Sequence, residues 1–407
     1  PGSLLAAFLH FTVSFMVWVL VGALGVYIAE DLQLTAAQKG LMVAVPLLGG
    51  AIFRVVVGFL ADRFGPKTTG IGCLIALLVP VLWGWIGAES FPEVLVMGLF
   101  LGVAGASFSV ALPLASRWYP PESQGVAMGI AGAGNGGTVI AVLLAPHLAE
   151  LVGWHGVFGL ALLPVLGTLV AFALLAREVQ NLPKPAPILR RLRILREPDL
   201  WWFGAFYSVT FGGFVGLSSV LAILFYDQYG VDRVTAGYLT ALCALAGSGF
   251  RPVGGFLADR VEGLRLLPWL LGVVTVALGF MAALPPLMVS VGILFVAMAV
   301  LGMGNGAIFQ MVPQRFREEI GVVSGLIGAA GGIGGFLLPS LLGWLKGAMG
   351  SYGAGFLVFA MFAAGSTLCL LYNRIRWQET WTAEAASRRA GRVRMEVAFG
   401  GSPGASP

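Results

Sequence analysis

Phe53–Arg63 reads FRVVVGFLADR, and Phe250–Arg260 reads FRPVGGFLADR. Nine of the eleven positions are identical at an offset of 197 residues, in a chain of 407. The repeat extends outward from this pair. Leu101-Gly102 through Pro113 and Arg117 align with Leu301-Gly302 through Pro313 and Arg317, and Gly125, Gly129 and Gly132 align with Gly321, Gly325 and Gly328. The chain is a duplication read in the same direction twice.

What is duplicated is apolar. Hydrophobic residues make up 58% of the chain and charged residues 11%, with a mean hydropathy of +0.91. Average soluble domains carry about 25% charged residues, so this chain lacks the polar surface a soluble enzyme, a disordered protein or a disulfide scaffold would need. A membrane-crossing helix takes ~20 apolar residues. Twelve such runs are expected: Leu4 to Ile28, Leu41 to Ala61, Thr68 to Ala88, Val94 to Trp118, Gly125 to Leu151, Trp154 to Leu175, Trp201 to Tyr226, Thr235 to Ala258, Leu264 to Leu284, Leu287 to Pro313, Gly321 to Lys346 and Tyr352 to Tyr372. They are numbered spans 1 to 12 below. The short alternating segments of a β-barrel are missing from the sequence. The expected fold is an all-α integral membrane protein of two six-helix bundles. Its expected organisation is a bundle over 1–176, a cytoplasmic linker over 177–200 rich in Pro and Arg, a second bundle over 201–373 and a cytoplasmic tail over 374–407, whose last ~25 residues read as polar and mobile. The first apolar run is too long for the core of a cleavable signal peptide, so no such signal is expected. Cys73, Cys243 and Cys369 lie in separate runs without metal-ligand spacing and read as packing residues; no metal and no cofactor is expected.

The basic residues orient the chain. With the N-terminus inside, the inward loops and tail hold 19 of the 24 Lys and Arg residues, and the outward loops hold only Lys39, Arg233 and Lys346. By the positive-inside rule both termini are cytoplasmic in a multi-pass protein of the cell's inner or plasma membrane. The net charge of +5 is then topological, and nucleic acid is not an expected partner.

Two basic residues remain, Arg54 and Arg251. Each lies inside an apolar run, eight residues before the Asp of its LADR motif, or ~12 Å along a helix. A charge at that depth costs ~2.5–3.5 kcal/mol on insertion scales. The repeat puts both at equivalent places, facing one cavity, and all 19 Asp and Glu lie in loops or near helix ends. An anion between the two would relieve their repulsion, and the planar guanidinium fork suits a planar oxyanion. The alternative is that helix carbonyls or water hold each arginine for structural reasons.

Glycine is abundant, at 59 residues. Gly132, Gly134, Gly136 and Gly137 form GAGNGG, which has no strand before it and so is no dinucleotide site. Together with Gly328, Gly331 and Gly332 these glycines let helices pack closely, and they also suit helices that rock over a small substrate. Asn135 is an amide in an apolar run and needs a partner. Phe15, Phe108, Tyr207 and Phe211 accompany the arginines, though apolar packing alone would also place aromatics there. Asp62, Arg63, Asp259 and Arg260 of the paired LADR motifs form a candidate latch between conformations, or ordinary helix-end stops.

Two parallel six-helix repeats, with GFLADRFGPK at 58–67 between spans 2 and 3, resemble the major facilitator superfamily. The pairing of Arg54 with Arg251 resembles the nitrate/nitrite porter family within it. So do GIAGAGNGGTVIAVLLAP at 129–146, GLIGAAGGIGGFLLP at 325–339, FYSVTFGGFVGLSS at 206–219 and GSGFRPVGGFLADR at 247–260. The resemblance implies that Arg54 and Arg251 hold nitrate or nitrite, that Asn135 and Tyr207 assist, and that Phe15, Phe108 and Phe211 wall the flat ion. The expected function is nitrate and nitrite transport by alternating access, with exchange of the two anions favoured by a monomer in the bilayer. Proton-coupled nitrate symport, or transport of another small anion such as a carboxylate, remains open; His10 is the one membrane residue suited to titrate near neutral pH, and a structural role suits it better. Neither a nucleophile nor an acid–base pair accompanies the site, so an enzyme is not expected.

Overall fold

The computed structural model describes residues 2–116, 131–177, 193–316 and 320–399. Among these the chain is helical throughout, and ten helices are long and apolar enough to cross a membrane. One of them, Ala133–Leu175, turns at Gly153 (φ +70°) and so contains spans 5 and 6. Span 1 is a further crossing, broken into Gly2–Trp18, Leu20–Ala23 and Gly25–Asp31. The twelve expected spans are thus accounted for, and the protein is a multi-pass membrane protein.

The two halves repeat their turns. Span 2, Ala36–Phe64, ends at Gly65 with φ +86°, a conformation open to glycine, and Pro66 then starts span 3. The same place in the second half is Glu262, at φ +68°, whose carboxylate meets the Arg265 guanidinium at 2.9 Å. Span 2 starts on a capping box in which Thr35 and Gln38 satisfy each other's backbone N–H groups. Span 8 is interrupted just before Arg251, between Arg233–Gly249 and Arg251–Val261, where Pro252 lacks the N–H that a continuous helix needs. Span 2 has no proline at the matching position; its Pro46 lies two turns earlier.

Small residues set the approach of the spans. A side chain at Gly102 would strike the Gly49–Gly50 backbone, and one at Gly302 would strike the Gly247 carbonyl, so spans 2 and 4 pack as spans 8 and 10 do. Among the described residues, spans 2 and 11 make the broadest contact between helices and join the halves; Gly40 meets the Gly343 backbone there.

Polar ties also join the halves, at the end opposite the LADR motifs. Lys39 Nζ lies 2.8 Å from both oxygens of Asp227. Arg233 bridges Glu30 and Glu150, Tyr226 donates to Glu30, and the Tyr238 hydroxyl meets His147 Nε2 at 2.7 Å. At the motif end, Asp199 accepts from Arg315 Nε at 2.6 Å and from Trp377 Nε1 at 2.9 Å, which ties spans 7, 10 and 12 within one half. Span 12 does not stop near Tyr372, where its apolar run ends. Its helix runs Gly353–Phe399, and Trp377, stacked on Phe203 at 5.2 Å, anchors the stretch that leaves the apolar run.

Candidate functional site

Arg54 is 2% exposed, inside span 2 and nearer its LADR end. Its Nε donates to the Gly105 carbonyl oxygen at 2.9 Å, and its Nη1 donates to the Gly328 carbonyl oxygen at 2.6 Å. The first bond stays within its half; the second crosses to span 11. Helix carbonyls therefore do hold this arginine, as the structural alternative expects. They satisfy donors without cancelling charge, so the guanidinium remains a cation in an apolar setting. Its Cζ lies 4.7 Å from the Phe211 ring centroid, 5.3 Å from that of Trp18 and 6.0 Å from that of Phe108.

Arg251 comes from the second half. Its Cζ lies 6.0 Å from the Phe108 ring and 6.0 Å from the Phe309 ring. Phe108 is thus shared by both guanidinium groups, which are no more than twice that distance apart. Arg251 Nη1 is buried and has no hydrogen-bond partner. Tyr207 is buried. Its ring stacks on Phe211 at 5.0 Å and 4° and meets Phe309 edge-on at 5.1 Å. Two cations, a phenol and flat rings thus converge from spans 1, 2, 4, 7, 8 and 10. Such a site can take a small planar anion: rings at cation–π distance moderate the positive charge without neutralising it, and one guanidinium donor has no partner.

Other expected residues are placed differently. Phe15 packs edge-on against Phe11 at 4.4 Å and against Trp18 at 5.0 Å, one layer behind the ring that meets Arg54. Asn135 lies not in regular α-helix but in a 3₁₀ turn, Ala133–Gly136, against span 1, and its buried Oδ1 has no hydrogen-bond partner. Gly134 abuts Phe11 and Gly137 the Thr12 backbone, whereas a side chain at Gly132 or Gly136 would meet open space. Gly328 faces Arg54, Gly331 faces Tyr207 and Phe211, and Gly332 faces Ala51 of span 2. At the motif end the Arg63 guanidinium lies 5.3 Å from the Phe64 ring, and that of Arg260 lies 4.2 Å from Phe256; Asp62 and Asp259 stand beside them in sequence. Arg117, Gly125 and Gly129 lie outside the described residues, as does most of the linker.

Sequence reasoning misses two rings, Trp18 and Phe309. Trp18 lies one turn beyond Phe15 and two beyond Phe11, and that spacing is the one signal for it. Phe309 is hidden by the repeat, since the offset of 200 carries Phe108 onto Ile308, one residue short. His10 is buried on span 1, away from the arginines. Its Nε2 is 3.3 Å from the Gly70 carbonyl oxygen and its ring 4.8 Å from Phe172.

Residues 6–339 match the profile of the Major Facilitator Superfamily. In the solved structures the chain resembles the xylose transporter XylE from E. coli, at a TM-score of 0.70 over 91% of this chain and 98% of that one, with 14% identity, which speaks to the fold alone. The class is therefore that of major facilitator transporters, not enzymes. Among named relatives, a nitrite extrusion protein of Bacillus subtilis is 33% identical over 91% of this chain and 93% of its own length. A probable nitrate/nitrite antiporter NarK1 of Thermus thermophilus is 32% identical, covering 88% of each. The chain belongs to the nitrate/nitrite porter family of the major facilitator superfamily.

Proposed function

We propose that this protein carries nitrate and nitrite across the plasma membrane by alternating access, exchanging one anion for the other, as a monomer with both termini in the cytoplasm. The two halves, 1–176 and 201–373, rock about the central site, with 177–200 as the cytoplasmic linker and the segment after 373 on the same side. The observation that carries this reading is the shared ring: Arg54 and Arg251, one from each half, both lie 6.0 Å from Phe108. An anion held by both would tie the halves together in either orientation. Without it, two facing cations resist closure, so return of the empty carrier is slow and exchange is preferred. The names borne by the Bacillus and Thermus relatives agree with this substrate pair. Tyr207 supplies a hydroxyl donor, Phe211 and Phe108 bound the slab, and Asn135, Phe15 and the glycines of spans 5 and 11 line or support the path. The LADR residues Asp62, Arg63, Asp259 and Arg260 latch the cytoplasmic end when it closes.

Proteoliposomes loaded with nitrate should take up external nitrite with no pH gradient, while anion-free vesicles take up little. Uptake into anion-free vesicles that requires an acid exterior would replace exchange with proton symport. Uptake of formate or oxalate in preference to nitrate would move the substrate class.

A further inference from the structure

Beside the site the internal repeat departs from itself in how it fills one slot. In the first half, the Trp18 indole fills the slot between spans 2 and 4: a side chain at Gly50 would come within 2.5 Å of its Cζ2, and one at Gly105 within 2.7 Å of the same atom. In the second half the corresponding slot is filled by Phe214, which meets the position of a side chain at Gly247 at 2.5 Å from Cε2. A phenyl ring is smaller than an indole. The counterpart of Gly105, at the offset of 200 that aligns spans 4 and 10, is not glycine but Asn305.

Asn305 is 1% exposed, and its Oδ1 has no hydrogen-bond partner. An unsatisfied amide oxygen at that depth is destabilising, so it calls for a partner in some state of the protein. Across the contact between spans 8 and 10 stands a buried donor in the same condition, Arg251 Nη1. The neighbourhood is close. A side chain at Gly306, the next residue, would strike the Arg251 carbonyl oxygen, and Phe309, one turn along the same face, has its ring 6.0 Å from the Arg251 guanidinium. In the first half, the matching arginine takes its partner at the matching place: Arg54 Nε donates to the carbonyl oxygen of Gly105.

We propose that the Asn305 amide is the resting partner of Arg251, a positioning residue that holds the guanidinium while the site is empty and yields it to the anion. The inference rests on the reading of Arg251 as an anion ligand. A neutral acceptor suits this role. It satisfies one donor without neutralising the cation, so an incoming oxyanion, bound by charge-assisted hydrogen bonds, displaces it. A carboxylate at the same place would act as a tethered anion and compete with the substrate. The two arginines are then unlike: Arg54 is fixed by backbone from both halves, and Arg251 is released by a side chain.

The test uses the full chain, purified in detergent and melted with and without nitrate, with nitrate affinity taken from the ligand-dependent rise in Tm. Asn305→Asp should raise the anion-free Tm and weaken nitrate binding by about tenfold or more, the scale of a close charge pair. Asn305→Leu, similar in size, should lower the anion-free Tm while nitrate affinity stays within about threefold of wild type, a loss far smaller than that of a ligand. If the leucine variant does not fold, Asn305→Ser, too short to reach, replaces it. In an Arg251→Gln background the gain in Tm from Asn305→Asp should vanish. Equal destabilisation by Asp and Leu, with equal loss of nitrate binding, would mean a packing role alone and overturn the proposal. So would an Asp variant whose Tm gain survives in Arg251→Gln. Should wild type show neither a nitrate-dependent rise nor exchange, the anion reading itself fails; the pairing is still decided by the anion-free melts.

Discussion

Arg54 of the first half donates from Nη1 to the carbonyl oxygen of Gly328 in the second, at 2.6 Å, and its Nε donates to Gly105 at 2.9 Å. One planar group thus spans both halves at the depth of the site. Lysine, a single point on a flexible stem, cannot hold both carbonyls and present a planar edge to an anion. Arg54→Lys and Arg251→Lys should each cut nitrate uptake in proteoliposomes by at least about tenfold, with elution volume and helical content unchanged. Normal uptake and affinity in either variant would remove the two-arginine site.

Glycines of the two rich stretches should differ sharply in their tolerance of alanine. At Gly331 a Cβ would lie 2.6 Å from Tyr207 Cδ1 and 3.0 Å from Phe211 Cδ1, against stacked rings with little room to shift. Overpacking of that kind costs about 1–3 kcal/mol and would tilt the rings beside both arginines. Gly331→Ala should therefore depress uptake by roughly tenfold, at 1.4 kcal/mol per decade. At Gly132 a Cβ meets nothing within 4 Å, and alanine favours helix over glycine. Gly132→Ala should keep uptake near wild type. Equal effects in initial-rate assays would show that the contacts seen at Gly331 do not govern function.

The contrast shows what could be read in the sequence. The arginines stand out because a charge inside an apolar run is rare and costly, and the repeat gives their pairing. The spans follow from length and hydropathy. The ring that meets Arg54 most directly on span 1 did not follow. Forty-six aromatic residues are scattered through apolar runs, and which one reaches a guanidinium depends on how Gly50 and Gly105 admit Trp18. The extension of span 12 was hidden for a related reason. Polar composition after Tyr372 marks the end of the apolar run, not of the helix, and Trp377 reaching Asp199 is a tertiary event.

Span 8 begins on Asp232, whose Oδ1 accepts from the Thr235 N–H at 2.9 Å. The Thr235 hydrogen bonds hold this carboxyl below its ordinary value. A depressed folded value means that the cap's stabilisation is fully present above the unfolded carboxylate pKa of ~3.9 and is lost as pH falls through the folded one. Tm should thus be insensitive to this group between pH 5 and 8, by that arithmetic. Asp232→Ala should lower Tm at neutral pH, and its deficit against wild type should shrink in acid below about pH 4. Asp232→Asn, which keeps the acceptor, should retain most of the cap at neutral pH. A deficit in the alanine variant that stays constant into acid would rule out the carboxylate as the source.

Lys39 and Asp227 close the end opposite the LADR motifs. The ammonium lies 2.8 Å from both carboxylate oxygens, and the Tyr352 hydroxyl donates to the same carboxylate at 3.1 Å. The pair joins span 2 to span 7, and both side chains are mostly shielded from solvent, at 20% and 16% exposure. Alternating access requires this tie to break whenever that end opens. Even an exposed pair of this kind contributes up to about 1 kcal/mol. Loss of that much from the closed state alone shifts the balance roughly fivefold toward opening. Ser219, buried against Gly22 of span 1 near the same end, reports the opening. In a background with Cys73, Cys243 and Cys369 replaced by alanine, a Ser219→Cys reporter should react about fivefold faster with an impermeant thiol reagent when Lys39→Gln is added. The charge swap Lys39→Asp with Asp227→Lys should bring the rate back toward that of the parent. A reporter blind to Lys39→Gln would mean that glycine packing between spans 2 and 11, rather than the ion pair, keeps this end shut. A swap that fails to restore the rate would shift the role from attraction between the two charges to the wider network around Tyr352 and Arg233.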